Sequence, residues 1–300
     1  MIQKITPFLW FDKNCQEAMN FYISIFDNSR IVSIKRYPEK ALHPAWEGFQ
    51  GKIITAVFEL MGQRFMALDG GPHFKFNPSV SFTITCANAD VAQNFYDKLS
   101  ADGEILMPFQ QYPWAEKYGW LQDRFGVSWQ INTEKNGGKI IPSLMFIGKH
   151  FGKCDEAINF YMGIFKNSSI ETIARYEKDE GDVEGKIKYS HFLLEGQPFR
   201  AMENSFPHKF EVSGAISFHV ECEDQNEVDY YWNKLTEEAD SKAQQCGWLA
   251  DKFDFSWQII PKILGEYLSD PDPVKSERVM KAMLQMKKID IEGLKRAYNE

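Results

Sequence analysis

Short apolar runs and stretches of helical spacing alternate along the chain in a fixed order. PFLWF at residues 7–11 is predicted to be a strand, and Asn14 is the expected cap of a helix in which Ala18 and Tyr22 recur at helical spacing. Three strands follow. The order then begins again with a strand and a helix over 89–99, and three short strands complete it. The first 135 residues therefore predict two modules of the order strand, helix, three strands.

This pattern occurs a second time with closely related letters. CQEAMNFYISIF begins at Cys15 and CDEAINFYMGIF begins at Cys154. SVSFTITC ends at Cys86, and AISFHVEC ends at Cys222. A third pair is GWLQDRFGVSWQI and GWLADKFDFSWQI. Three matched blocks in the same order indicate two copies of one domain.

The repeat sets the expected domain boundaries. We expect one domain over 1–136, a second over 137–262 and a helical C-terminal extension over 263–300, with helices starting at Asp272 and Asp290. The second copy is shorter between its second helix and its GW motif, which predicts a truncated hairpin there.

Composition narrows the class of protein. The 300 residues are 44% hydrophobic and 25% charged, as in soluble globular proteins. A net charge of −8 argues against nucleic acid or an anionic membrane as partner, and no apolar run reaches the length of a membrane span. Four of the five cysteines occupy equivalent positions in the two copies, which suits free thiols in a reducing cytoplasm.

The paired modules, with AMNFYISIF and DRFGVSWQI, resemble the vicinal oxygen chelate (glyoxalase, bleomycin resistance and dioxygenase) superfamily. They are most similar to its PhnB-like branch, whose members often carry the label 3-demethylubiquinone-9 3-methyltransferase. The resemblance covers roughly 3–134 and 139–261. It implies an α+β fold of two tandem vicinal-oxygen-chelate domains, each of paired βαβββ modules forming a curved sheet cup, plus C-terminal helices. It also implies an intramolecular pseudo-dimer, with a further homodimer left open.

The resemblance implies a place for a divalent metal in each cup, held by His, Glu or Gln on the first, fourth, fifth and eighth strands. By register, these positions are Pro7, Ala67, Ser81 and Gln130 in the first repeat and Pro142, Ala201, Ser217 and Gln258 in the second. Pro and Ala cannot ligate through side chains, and one glutamine is not a metal site. We therefore expect no metal and no cofactor. The sequence also lacks a glycine-rich strand-to-helix turn that would receive an adenosine cofactor, so the residues do not support the methyltransferase label.

Polar side chains on the cup-lining strands are the candidate ligand-binding residues. They are Ser81, Thr83, Trp120, Gln130, Ser217, His219 and Gln258. As a general base, His219 would need an orienting carboxylate, for which Glu203 is the candidate and Asp69 its counterpart. The alternatives are structural: buried glutamines bonded to neighbouring side chains, a strand histidine, and tryptophans that anchor the core. Asp123 and Asp251 are expected to shape turns.

Three functions fit these features. The favoured one is a metal-free protein that binds or sequesters a small molecule. The second is a metal-dependent glyoxalase- or dioxygenase-like enzyme with a rearranged site, and the third is a scaffold whose cups are filled by side chains. We expect a small-molecule ligand and no nucleic acid or membrane partner. The cup with Trp120 and Gln130 is favoured because the segment at 107–120, MPFQQYPWAEKYGW, can wall a pocket.

Overall fold

The computed structural model describes residues 3–41 and 44–300, which form fifteen strands and seven helices. The strands are β1 (Ile5–Phe11), β2 (Arg30–Arg36), β3 (Ile53–Leu60), β4 (Gln63–Asp69), β5 (Val80–Cys86), β6 (Glu104–Tyr112), β7 (Ala115–Gln122), β8 (Ser128–Thr133), β9 (Lys139–Phe146), β10 (Ser169–Arg175), β11 (Ile187–Leu194), β12 (Gln197–Glu203), β13 (Ile216–Cys222), β14 (Trp248–Ala250) and β15 (Ser256–Pro261). The helices are α1 (Cys15–Ile25), α2 (Ala89–Ser100), α3 (Cys154–Ile164), α4 (Gln225–Leu235), α5 (Lys262–Leu268), α6 (Pro273–Leu284) and α7 (Ile291–Asn299).

The two sheets combine modules from different repeats. One sheet has eight strands in the order β10-β11-β12-β9-β5-β8-β7-β6, and the other has seven in the order β14-β15-β13-β1-β4-β3-β2. At the centre of each sheet the repeats meet, because β5 pairs antiparallel with β9 and β1 pairs antiparallel with β13. The α+β fold of paired βαβββ modules in curved sheets is confirmed.

The assignment of each cup to one repeat is corrected by this topology. Within each module one edge strand, β1 or β5 in the first repeat, needs a partner from another module. The equivalent strands of the two repeats carry the same apolar pattern, so a sequence repeat alone does not specify which module completes which sheet. In the structure each sheet joins one module of each repeat.

The helices of the repeats lie on one face of each sheet, α1 and α4 on the seven-stranded sheet and α2 and α3 on the eight-stranded sheet. The helix-covered faces of the two sheets share one apolar core. Phe65 of one sheet meets Phe82 of the other with ring centroids 5.3 Å apart, and Tyr22 of α1 meets Trp129 of β8 at 5.5 Å. Among the described residues, no helix is long and apolar enough to cross a bilayer.

The start of α1 is fixed by a distant carboxylate. The predicted Asn14 side-chain cap is wrong, since the Asn14 side chain makes no capping hydrogen bond. Asp69, at the end of β4, instead accepts from the backbone N–H of Cys15 at 2.9 Å and from that of Ile53 at 3.0 Å. This arrangement ties the helix N-terminus to two strands, and a long-range cap of this kind leaves no local sequence signal.

The predicted difference between the repeats is present. The β6–β7 hairpin of the first repeat is replaced in the second by a short 3₁₀ turn and the three-residue strand β14. Helices α6 and α7 start after Asp272 and Asp290 as expected, and each aspartate accepts a capping hydrogen bond. The additional helix α5 was not predicted. The C-terminal extension forms a small apolar cluster of its own. The backbone N–H groups of Cys246 and Gly247, which immediately precede β14, donate hydrogen bonds to carbonyl groups of the extension.

Candidate functional site

Each sheet has a helix-free face, which we call its cup. On β5, Phe82 and Ile84 enter the core, so Ser81 and Thr83 face the cup of the eight-stranded sheet. The same alternation places Gln130 of β8 beside Thr83 in this cup. We call this face the polar cup and the corresponding face of the seven-stranded sheet, which contains Ser217, the apolar cup.

The expected register of two strands in each cup is wrong by one residue. Pro7, Ala67, Pro142 and Ala201 face the core side, because their cross-strand partners are core residues. The neighbouring residues that face the cups are Phe8 and Met66 in the apolar cup and Ser143 and Arg200 in the polar cup. Apolar residues occur on both faces of β1 and β9, so hydrophobicity alone did not reveal which residues face the cup.

The corrected register offers no donor set for a divalent metal. The equivalent positions hold Phe8, Met66, Ser217 and Gln258 in one cup and Ser143, Arg200, Ser81 and Gln130 in the other. Hard cations need several oxygen ligands and zinc needs nitrogen, thiolate or carboxylate ligands, whereas a guanidinium repels a cation. No group of three or more His, Cys, Asp or Glu residues is placed to hold a metal within residues 3–41 and 44–300. The residues of both cups do not fit the metal that the fold implies.

The apolar cup is filled by aromatic side chains. Trp248 of β14 packs edge-on against Phe8 and Trp10 of β1, with ring centroids 5.6 and 5.9 Å apart. Trp10 in turn meets Phe74 at 5.2 Å. These rings occupy the space over the floor of the sheet, where Gln258 donates a 2.9 Å hydrogen bond to Ser217.

His219 lies on the floor of the apolar cup but lacks the arrangement of a general base. Burial lowers its pKa to about 4, so the imidazole is neutral at physiological pH. The expected orienting carboxylate, Glu203, belongs to the other sheet and accepts from the backbone N–H groups of Gly152 and Ile187. Its counterpart Asp69 likewise bonds backbone groups on the core side. The hypothesis of a His219–Glu203 pair is therefore wrong.

The floor of the polar cup consists of polar side chains in two hydrogen-bonded groups. Gln130 donates to the Ser81 hydroxyl at 2.8 Å and accepts from the Tyr118 hydroxyl at 2.9 Å. The hydroxyl oxygens of Thr83 and Ser143 lie 2.7 Å apart. Each of these five residues is buried. The amide of Gln130 is thus held in one orientation by its neighbours.

Aromatic side chains stand at one side of the polar cup. Trp120 faces the cup and donates from its indole to the Ser128 hydroxyl at 2.8 Å. Nearby on the β6–β7 hairpin, Tyr112 and Trp114 stack with centroids 4.9 Å apart, and Tyr118 meets Tyr112 edge-on at 5.8 Å. The hairpin that the second repeat lacks thus places aromatic side chains beside the floor of the polar cup.

A buried arginine in the polar cup was missed by sequence reasoning. Arg200 is 2% exposed, and its guanidinium reaches from β12 to the Glu134 carboxylate just beyond β8. Asn132 donates to the same carboxylate oxygen at 2.7 Å. The guanidinium carbon lies 5.3 Å from the centroid of the Tyr189 ring. A cation and its counter-ion therefore span the polar cup.

Three buried atoms around this ion pair have no hydrogen-bond partner among the described residues. They are Nε of Arg200, Nε2 of His191 and Oδ1 of Asn132. Burial and the adjacent Arg200 charge lower the pKa of His191, which keeps the ring neutral. Buried polar groups are nearly always paired, so three unpaired atoms in one cup are unusual. Comparing the repeats could have found them, because Met66 and Val57 occupy the positions equivalent to Arg200 and His191.

Asp123 and Asp251 organise the core and not the cups. Asp123 accepts from the Tyr22 hydroxyl at 2.7 Å, from the Trp129 indole at 2.8 Å and from two backbone N–H groups of its own turn. Asp251 repeats all four bonds in the second repeat. Burial raises the pKa of each carboxyl to about 6, so both are ionised above neutral pH. The prediction that they shape turns is confirmed.

The cysteines at the helix starts are buried and unreactive in character. Burial raises the pKa of the Cys15 and Cys154 thiols well above the ordinary value, and it raises those of Cys86 and Cys222 to about 12. All five cysteines are free thiols.

Comparison with known proteins matches both repeats to one family. The family model described as 3-demethylubiquinone-9 3-methyltransferase covers residues 3–132 and again 138–260. Protein YjdN of Escherichia coli (strain K12) is 29% identical over 141 residues, which are 44% of this chain and 95% of that protein. A PhnB protein from Bacillus cereus is 46% identical over 44% of this chain and 100% of that chain, with a TM-score of 0.41.

A longer structural likeness extends over both repeats. The match to the structure of a glyoxalase I mutant from Zea mays covers 87% of this chain and 95% of the glyoxalase chain, with a TM-score of 0.52 and 11% identity. At this identity the likeness shows the fold alone. It establishes the tandem glyoxalase-like architecture over most of the chain.

Proposed function

The chain belongs to the PhnB-like family described as 3-demethylubiquinone-9 3-methyltransferase, and from this premise we propose that it binds a small organic molecule in its polar cup without a metal. The observation that carries the proposal is the side-chain set of that cup. Arg200 occupies a position where the fold places a metal ligand. Its Nε, and polar atoms of His191 and Asn132 nearby, have no hydrogen-bond partner among the described residues. These groups can recognise an organic ligand, whereas the Arg200 guanidinium repels a divalent cation.

Methyl transfer is disfavoured by the local structure. The turn from β1 into α1 is Asp12, Lys13 and Asn14, and the turn from β5 into α2 is Ala87 and Asn88. Neither turn contains a glycine. The turn from β9 into α3 contains Gly148 and Gly152, but the N–H of Gly152 already donates to the Glu203 carboxylate. These turns therefore do not offer the glycine-rich loop that would let a nucleoside cofactor approach a helix N-terminus. The family description therefore identifies the relatives of the chain but does not assign methyl transfer to it.

The two cups differ in the side chains that lie over their floors. Ser143 in the polar cup stands at the position that Phe8 occupies in the apolar cup, and Met145 stands at that of Trp10. A small hydroxymethyl group therefore stands where the apolar cup has a benzyl group. The apolar cup, with Trp248 closing over Phe8, best fits the scaffold hypothesis, because its own rings take the place of a ligand.

Substitutions in the polar cup should weaken ligand binding more than matched substitutions in the apolar cup. We expect Gln130→Ala or Trp120→Ala to reduce the affinity for a co-purifying compound at least about tenfold, and Gln258→Ala or Trp248→Ala to change it little. The two pairs of substitutions remove the same side chains at equivalent positions of the two cups. Aromatic rings of the protein already lie over the floor of the apolar cup, so we expect only the polar cup to respond. Equilibrium dialysis with mass-spectrometric detection measures the affinity.

Thermal unfolding of the four variants is the control, because truncating a buried tryptophan by itself costs about 3–5 kcal/mol. A larger loss of affinity from the Gln258 and Trp248 variants, in folded protein, would assign binding to the apolar cup.

A further inference from the structure

Resting on the function proposed above, we propose that the ligand carries an anionic oxygen group, a carboxylate or a phosphoryl group, and that this group binds Arg200 in place of Glu134. The proposal names the chemical class of the ligand from the residues of the polar cup.

Arg200 has donors that its present partners do not satisfy. Its side chain is almost fully buried, yet it has one ion pair and a ring contact, and its Nε has no partner among the described residues. A guanidinium presents a planar fork of donors that matches two oxygens of a carboxylate or phosphoryl group. Glu134 bonds one branch of this fork through Nη2 and leaves Nε free. A second anionic group that bonds both Nε and Nη2 would complete the set.

Glu134 is far more exposed than the arginine that it pairs with. Its side chain is 33% exposed, whereas that of Arg200 is 3% exposed, so the carboxylate lies at the rim of the cup and the guanidinium below it. When Glu134 swings outward it is solvated by water, at little cost for a group already at the surface. Arg200 has no such alternative, because an unpaired buried charge is strongly unfavourable. An incoming anion therefore replaces Glu134 and restores the pairing of Arg200.

Two further side chains beside the ion pair have unpaired polar atoms. His191 is the cross-strand neighbour of Arg200, and its neutral ring leaves Nε2 unpaired. Asn132 bonds Glu134 through its amide nitrogen and leaves its oxygen unpaired. An anionic group on Arg200 with a hydrogen-bond donor next to it, such as a hydroxyl or an amine, would satisfy the Asn132 oxygen. Tyr189 and Tyr118 offer ring surface to the rest of the ligand.

The other cup provides an internal comparison. At the positions equivalent to Arg200, His191 and Tyr189 it has Met66, Val57 and Thr55. The cluster thus distinguishes one cup from the other although the surrounding framework is the same. A packing requirement common to both sheets does not explain it.

The test uses the full chain and three probes of one shape in a buffer without phosphate or carboxylate. Isothermal titration compares benzoate and phenylphosphonate with neutral benzamide. We expect binding of at least one anion and none of benzamide, and the tighter anion shows whether the site prefers a carboxylate or a phosphoryl group. Glu134→Gln should strengthen anion binding at least about threefold, because the competing charge is removed, and Arg200→Met should weaken it at least about tenfold.

Arg200→Met introduces the side chain that the other cup has at the equivalent position. The Glu134 carboxylate that it leaves unpaired is 33% exposed, so water solvates the charge and the cost of a fully buried unpaired ion does not apply. Arg200→Lys is the second variant, which keeps the charge and loses the planar fork, so its affinity should lie between those of wild type and Arg200→Met. Thermal unfolding confirms that each variant is folded.

The inference is overturned if neither anion binds at millimolar concentration, if benzamide binds as well as the anions do, or if Arg200→Met leaves anion affinity unchanged. A neutral compound that is lost in Gln130→Ala and retained in Arg200→Met would overturn the anionic class and leave the proposed function standing. Retention of the compound in both variants would overturn the proposed function as well.

Discussion

The segment 1–138, produced alone, is expected to fail as a folded monomer. In the whole chain β1 pairs with β13 and β5 pairs with β9, so the first repeat alone has unpaired edges at the centres of both sheets. Exposed edges of this kind are templates for pairing with another chain. The isolated segment should therefore either unfold or pair with a second copy, in which β1 of one copy takes β5 of the other.

Light scattering after size exclusion and denaturant unfolding of 1–138 and of the full chain measure this effect. Below the dimerisation concentration, we expect the free energy of unfolding to fall by more than about 5 kcal/mol, a typical domain's whole stability. Addition of the segment 139–300 should rescue the fold at equal molar ratio. A monomeric 1–138 as stable as the full chain would contradict the shared sheets.

Asp123→Asn is expected to destabilise the protein by about 3–5 kcal/mol at pH 7.5. The carboxylate accepts four hydrogen bonds, two of them from the Tyr22 hydroxyl and the Trp129 indole. An amide of the same shape directs its NH₂ group at two of these donors, and Asp123 is only 3% exposed, so solvent does not replace the lost bonds. Bonds to a charged acceptor contribute about 1.5–3 kcal/mol each, so two losses account for the expected range.

Chemical denaturation monitored by tryptophan fluorescence tests this expectation, with the exposed Asp27→Asn as the matched control that should change stability little. Asp251→Asn should have an effect of similar size, because it makes the same four bonds in the second repeat. A loss below about 1 kcal/mol at both positions would mean that the carboxylates are not needed to hold the strands and helices together.

The fold was readable from the sequence because its signals are local or repeated. Helical spacing at Ala18 and Tyr22 and the matched SWQ strands identify the modules. The pairing of modules was not readable, since β1 and β9 carry the same pattern and either could complete a given sheet. Side-chain phase failed for a related reason: in TPFLWF every residue but one is apolar, so alternation does not reveal that Phe8 and not Pro7 faces the cup.

The candidate site was only partly predictable. Gln130 and Trp120 were found because polar and aromatic residues alternate with core residues on their strands. Arg200 was missed because an arginine in PFRAME, where RFMALD has Met66, looks like ordinary surface variation. Its counter-ion, Glu134, lies 66 residues away in sequence. Pairing over such a distance is a property of the folded sheet.

The central claim, metal-independent binding in the polar cup, is tested most directly by equilibrium dialysis of chelator-treated protein against a small-molecule extract, with metal analysis and mass spectrometry of the retained compounds. The account predicts an organic compound retained by the metal-free wild type and released by Gln130→Ala. Stoichiometric zinc, nickel, iron or manganese held through Gln130 or Gln258, with retention only when that metal is restored, would contradict it.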